Sequence, residues 1–568
     1  MLKHLSLIFI VFISQNIFAS DLKGQNFLND GVDQYYFYIK IKSDFFPDLE
    51  NGKVRFFSKS KTVNPFLIND LNEFSFKQVM PLTNAQRAEV RSGVETGNTE
   101  GSFDKKLFSG LLEFSETTTM NKHELLNLAN KLERYDEVEY CEVSPFDSRP
   151  THEVISQDST SLTQTPDFSD MQIYKEGNHG GDTIGIYAEY AWGLGIKGEG
   201  IQVADVEWGW NYDHEDLAGP NFIDGLTTTD HLLDEHGTAV AGVIFAKDNG
   251  IGVTGMAHEA ENFTGYSVVP KGRTAAIGLA LENLNAGDVL MYELQRVGPA
   301  GEVVPADFSQ SVWDLTKAAS DAGVIVVAAA GNGSQNLDGN LYTTYMNRGD
   351  NGSIMVGAAT TKGRNKIEYS NYGTRVNISG WGNLVTTTGY GAIHYGGPNS
   401  TYTIAFGGTS AATPIAASAV ILVQSYYKKI HNKILTPIEM RELLIETGTP
   451  QGTGGSIGPL PNVQAAILRL DELHATSIAQ TKTNIQTFAI SVKNNQLIFQ
   501  VPNSTSSNIE IVLYSITGTQ MGSYQASNIR GTHSIPISSI VQLNTVKGIY
   551  LARLKSGDIS KHVKFLIK

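Results

Sequence analysis

Four short stretches carry side chains that could act together on a carbonyl group. "VADV" brings Asp205 to the end of an apolar run, "HGTAVAGVI" opens a helical pattern at His236, "VVAAAGN" ends at Asn332, and "GGTSAATP" sets Ser410 behind Gly407 and Gly408. A serine hydroxyl is a weak nucleophile until a base takes its proton. An imidazole titrates near neutral pH and can take it. A buried carboxylate then fixes the imidazole tautomer and stabilises the imidazolium, and amide donors meet the negative oxygen of the intermediate. Singly, each residue has a plainer reading. Thr409 or Ser410 caps a helix, Asp205 follows a strand as a cap, His236 is a satisfied polar residue, and Asn332-Gly333 is a turn. Together they hold every part that nucleophilic acyl transfer requires.

Such residues need a frame. From about 171 to 475, runs rich in valine and isoleucine alternate with helical patterns. "GIQVADV", "GDVLMYEL", "VIVVAAAG" and "SIMVGAAT" read as strands. "GTAVAGVIFA", "ADFSQSVWDLTKAASDAG" and "TPIAASAVILVQSYYKKI" read as helices. Near-continuous apolar strands separated by helices imply an α/β fold with a doubly wound, mostly parallel sheet covered on both faces. In such a sheet chemistry collects where strands end and helices begin. Glu207 shares a face with Asp205 if the strand continues, and a second carboxylate would raise the pKa of Asp205. The favoured reading is that the loop turns there and Glu207 faces solvent or a partner.

With these residues in the order Asp, His, Ser, the middle region resembles the subtilisin-like serine peptidases (S8 family). The carriers are "VADV" around Asp205, "HEDL" at His214–Leu217, "HGTAVAGVI" at His236–Ile244, "GIGVTGMA" at Gly250–Ala257, "VVAAAGN" at Val326–Asn332, "VGAAT" and "YSNYG" between Val356 and Gly373, and "GTSAATP" at Gly408–Pro414. The resemblance implies that Asp205 orients His236, that His236 is general base and then general acid, and that Ser410 attacks the scissile carbonyl. It implies an oxyanion hole made of the Asn332 amide and the Ser410 backbone N–H. The family usually has a glycine soon after its aspartate, whereas Asp205 is followed by "VEWGW". Its substrate-binding strand normally carries Ser-Leu-Gly; here Tyr292, Glu293, Leu294 and Gln295 stand in that place. Bulkier residues there imply an altered pocket. Glu293 either favours basic side chains or is a buried or paired structural glutamate.

The flanks differ in character. "MLKHLSLIFIVFISQNIFAS" has Lys3 and His4 before an apolar core and small residues at Ala19 and Ser20, the shape of a secretory signal peptide. "LERYDEVEYCEVSP" resembles the end of the propeptides of the same family, and a polar linker follows it. The last region alternates apolar and polar residues as an antiparallel β-sandwich does. "LYSITGTQM", "THSIPISSI" and "GIYLARLKSG…KHVKFLIK" resemble the C-terminal sorting domain of type IX secretion in Bacteroidota. The expected organisation is signal peptide 1–19, an α+β propeptide and linker 20–170, peptidase domain 171–475 and sorting domain 476–568.

The chain's 568 residues, 41% hydrophobic and 18% charged, predict a globular protein of more than one domain. A net charge of -15 without a basic block excludes nucleic acid as a partner. No stretch after the leader reads as a transmembrane segment. The lone Cys141 permits no intrachain disulfide and reads as a buried thiol. The implied function is a secreted or surface-located endopeptidase, made as a propeptide-inhibited zymogen. Its partners would be protein or peptide substrates, its own propeptide and the type IX machinery. No cofactor is required; structural calcium suits the carboxylate- and glycine-rich loops, but none has an unambiguous calcium spacing. The same residues also admit a catalytically inactive binding protein, or an esterase using the same triad.

Overall fold

The computed structural model describes residues 22–92, 108–115, 119–146, 164–224, 231–269, 271–484, 489–493, 496–501, 507–515, 519–541, 548–556 and 559–567. The expected signal peptide and most of the polar linker lie outside them. The chain divides after Ile467 into two compact units.

The first unit is built on a sheet of seven strands: β1 (Gln202–Glu207), β2 (Phe222–Asp224), β3 (Asn262–Ser267), β4 (Val289–Tyr292), β5 (Ile325–Ala329), β6 (Ile354–Ala359) and β7 (Ile378–Trp381), in the spatial order β2-β3-β1-β4-β5-β6-β7. Every pairing is parallel. Strands β4, β5 and β6 are buried at every residue, as expected of strands covered on both faces. Helices α1 (His231–Phe245) and α4 (Thr409–His431) lie on one side. Helices α2 (Arg273–Ala280) and α3 (Gln310–Asp321) share one apolar cluster with Ala204 and Val206 of β1 on the other. Side chains alternate along a strand, so Asp205 and Glu207 point away from that cluster, toward α1 and α4.

The N-terminal region adds an antiparallel sheet in the order 76–78, 111–114, 35–41, 138–145. Its strand Tyr35–Ile41 is buried throughout, for two separate reasons. Tyr35, Phe37, Ile39 and Ile41 pack with helix Lys122–Leu132 in the region's own core, while Tyr36 and Tyr38 join the cluster formed with α2 and α3. Tyr140 donates to Asp314 at 2.8 Å, and Glu142 accepts the Ser311 N–H at 2.9 Å. Cys141 is buried and free.

The second unit contains two antiparallel sheets, one of three strands and one of four. Leu497, Phe499, Leu513, Tyr550 and Phe565 meet in one apolar core. A helix, Val463–Asn484, runs through the boundary expected at 475. Among the described residues no helix is long and apolar enough to cross a membrane.

Candidate active site

Strand β1 does not end at Asp205. It stays in register with β3 as far as Glu207, opposite Ser267, and Glu207 is fully buried rather than facing solvent. The Glu207 Oε1 lies 2.9 Å from the Nδ1 of His236, and its Oε2 accepts the Trp208 N–H at 3.0 Å. The imidazole sits edge-on between Trp208 and Phe406, with ring centres 6.3 and 5.7 Å away. This corrects the role expected of Asp205: the carboxylate at the imidazole is that of Glu207. The cause is the strand period. Two residues of extended chain move a side chain along the same face by about 6.6 Å, so the later acid reaches the helix that crosses the strand end.

Asp205 has other neighbours. Its Oδ2 accepts the Trp210 Nε1–H at 3.0 Å, and the carboxyl of Glu293 faces it. Burial, and then the Glu207 charge, hold Asp205 well above the usual carboxyl range. Trp210 in turn lies against the turn that carries His236. A methyl group on Gly237 would sit 2.1 Å from the Gly209 carbonyl and 2.9 Å from the Trp210 Nε1. The Asn211 N–H donates to Thr238 at 2.8 Å, so the turn after β1 and the His236 turn are stitched together.

Ser410 is buried in the first turn of α4. Gly408, at φ 85, is the residue that caps this helix, and no side chain caps it. The cap reading of Thr409 and Ser410 therefore does not hold. Asn332, just beyond β5, accepts from both the N–H and the hydroxyl of Thr409, at 2.9 and 3.0 Å. Those bonds occupy its carbonyl and leave its amide nitrogen directed elsewhere. A Cβ on Gly408 would lie 3.3 Å from that nitrogen and 3.5 Å from the Ser410 backbone nitrogen. Two donors thus border one small space that only glycine leaves open, which is what stabilising an oxyanion requires. The helix continues through Pro414 to His431, although proline supplies no N–H to the Ser410 carbonyl one turn earlier.

The expected substrate strand is placed differently. Tyr292 is in the core, with its hydroxyl 3.0 Å from that of Thr316, and Leu294 belongs to the α2–α3 cluster. Glu293 is 3% exposed and faces Asp205. None of these three opens on a cleft, because β4 is an interior strand. Gln295 is half-buried and accepts the Asn332 N–H at 3.1 Å. It begins a hairpin, Gln295–Val297 with Val303–Pro305. The hollow beside the donors is instead lined by Asn332, Tyr369, Asn383, Leu384, Ala405 and Gly408, with a volume of about 490 Å³. Leu384 is 57% exposed there, an apolar side chain the motif reading did not single out.

The "HEDL" stretch is a brace. His214, pushed down to about 4 by burial, has its Nε2 3.0 Å from the Thr401 carbonyl, and Asp216 accepts the Val253 N–H at 2.8 Å. Among the described residues no group of three or more His, Cys, Asp or Glu side chains could hold a metal ion.

The Subtilase family model matches residues 198–459, the span that carries all of these groups. Subtilisin BL of Lederbergia lenta is 33% identical over 289 residues, which cover 50% of this chain and 96% of that protein. The chain belongs to the subtilase family. Its peptidase domain is that of a serine endopeptidase. This subtilase is also 27% identical over 352 residues to the minor extracellular protease Epr of Bacillus subtilis (strain 168), covering 60% of the chain and half the length of Epr. A solved protease structure from Pseudoalteromonas arctica aligns at a TM-score of 0.40 and 21% identity, over 54% of this chain and 99% of that one.

A signal for Glu207 was present in the sequence. The glycine that subtilases carry soon after their acidic residue is missing at that distance from Asp205, but Gly209 stands two residues after Glu207.

Proposed function

We propose that this subtilase is a secreted, propeptide-controlled endopeptidase that works through Glu207, His236 and Ser410. The Ser410 Oγ attacks the scissile carbonyl while His236 takes its proton. The negative charge that forms on the carbonyl oxygen is met by the Asn332 amide and the Ser410 N–H. Glu207 holds the proton on Nδ1 and balances the imidazolium. His236 then protonates the leaving amine, and a water activated by the same base hydrolyses the acyl-enzyme. The observation that carries this reading is the 2.9 Å contact of Glu207 with His236. The chemistry written this way calls for no cofactor.

The flanking regions fit a zymogen made for export. The N-terminal region buries aromatic side chains against α2 and α3, as a removable folding template would. Parallel sheets depend on long-range pairing and fold slowly, so a template is useful to them. Cleavage in the linker between about 150 and 171 would release it. The last region is read as a type IX sorting domain, which makes the secretion machinery a partner and places the mature enzyme outside the cell or on its surface.

The test is a fluorophosphonate probe with casein and a simple ester as substrates. Labelling at Ser410 that disappears in Ser410→Ala, with casein cleaved, is the expected result. An unlabelled protein, or one that hydrolyses only the ester, rejects the endopeptidase reading. Mass spectrometry of both ends of the matured protein tests the two flanks.

A further inference from the structure

Behind the Glu207–His236 contact lies a second acidic pair that the relay does not use. Asp205 and Glu293 are 0% and 3% exposed. Met291 pairs with Asp205 across β1 and β4, and Glu293 follows two residues later. Asp205 Oδ2 receives the Trp210 N–H, but Asp205 Oδ1 and both oxygens of Glu293 are buried without a bond from any other side chain. Two buried carboxylates that face each other without donors repel and cannot both be ionised. A proton between them turns the same contact into a hydrogen bond.

We propose that Glu293 carries a proton that it donates to Asp205, and that this acid pair positions the Glu207–Trp210 turn against His236. Glu293 is the donor because Asp205 is the better anion: it already holds the indole N–H. Asp205 so fixed holds Trp210, Trp210 abuts Gly237, and Gly237 adjoins the catalytic imidazole. The charged and titratable groups around the pair support this assignment. Glu207 comes from the same strand, and His236, from α1, stands against Glu207. The charges acting most strongly on the pair are carboxylates, Glu207 on both members and Asp205 on Glu293. Burial first, and then Asp205, hold Glu293 well above the usual range. One proton reduces three negative charges in this dry space to two. Asp205 and Glu293 are positioning residues; neither touches a reacting atom. The assignment also removes Glu293 from the specificity role, since a buried, protonated carboxyl cannot recognise a basic side chain.

The inference rests on the proposed relay for its consequence, but the proton can be tested separately. The variants are Glu293→Gln, whose amide can still donate to Asp205, and Glu293→Leu, which cannot. A raised folded pKa means that wild-type stability is fully present below the ordinary carboxyl value, about pH 4, and is lost as pH rises from there toward the folded value. Glu293→Gln has no such loss. Its melting temperature should therefore gain on the wild type as pH rises above about 4, by up to about tenfold in the folding equilibrium per pH unit. The infrared C=O band of a protonated carboxyl should disappear in the same variant. In kcat/KM, Glu293→Leu should fall by about 10², and Glu293→Gln should recover most of that loss. A melting difference that stays flat with pH, with no lost infrared band, overturns the proton. Equal kcat/KM losses in Gln and Leu variants reduce the pair to packing. Should Glu293→Leu not fold, Glu293→Gln against the wild type decides by melting and infrared alone. Absence of Ser410 labelling in the wild type would reject the relay and leave the melting and infrared results standing.

Discussion

Replacing Glu207 with glutamine is the sharpest perturbation of this active site. The substitution exchanges one oxygen for an NH₂ group and keeps the shape. Glu207 Oε1 stands 2.9 Å from His236 Nδ1, with the two side chains 0% and 2% exposed, so no water can take over its role. An amide there either keeps its oxygen toward Nδ1 without a charge to balance the imidazolium, or turns its NH₂ to Nδ1 and selects the wrong tautomer. Loss of the orienting carboxylate in serine peptidases costs about 10⁴ in kcat, which at about 1.36 kcal/mol per factor of ten is about 5.4 kcal/mol of transition-state stabilisation. KM should change little, because substrate does not touch Glu207. Asp205→Asn is the paired control. Its amide oxygen can still accept the Trp210 N–H, so the loss should be about tenfold or less, the scale of a neutral hydrogen bond at about 1.4 kcal/mol. The assay is peptide hydrolysis at saturating substrate, with melting curves to show that both variants fold. If folded Asp205→Asn loses about 10⁴ while Glu207→Gln stays within about tenfold, the assignment drawn from the geometry is wrong.

Three further outcomes follow from the same geometry. Asn332→Ala removes one oxyanion donor and should lower kcat by about 10²–10³ with KM nearly unchanged; a KM effect alone would make Asn332 a binding residue. Gly408→Ala places a methyl 3.3 Å from the Asn332 amide nitrogen at φ 85, so both activity and stability should fall, the latter by about 1–3 kcal/mol of backbone strain. A fully active Gly408→Ala would show that the space between the donors is not used. Glu113, in strand Leu111–Phe114, is pushed by burial from its usual 4.5 up to about 7, with Lys77 and Lys271 opposing. The stability it lends is full below 4.5 and is lost as pH rises through about 7. Glu113→Gln should thus protect the N-terminal region increasingly across that window, read by hydrogen exchange; protection that does not vary with pH would refute it.

Much of the frame was legible in the residues. Runs such as "IVVAA" and "IMVGAA" have no polar face, and a strand without one must be covered on both sides, which makes a parallel α/β sheet the expected arrangement. The aromatic and β-branched run "YYFYIKI" suits a strand, and the Leu125, Leu128, Leu132 spacing suits the helix of the N-terminal region. Both are local properties. They depend on what one residue's neighbours in the chain are, and the sequence states that directly.

The division of labour among the acids was of another kind. Alternation puts Asp205 and Glu207 on one face of one strand, and it cannot say which of them an incoming helix will meet. That choice depends on where α1 crosses the end of β1. The crossing is set by packing contacts with α4 and with the segment 385–388, which are remote in sequence. The burial of Tyr292, Glu293 and Leu294 was likewise decided by neighbours on both sides of β4. By itself, then, the sequence determined the sheet, its helices and the kinds of side chain that gather at its edge. Only the tertiary structure decided which carboxylate faces the imidazole and which is sealed behind it, because a few ångströms along an extended strand are settled by long-range packing rather than by local preference.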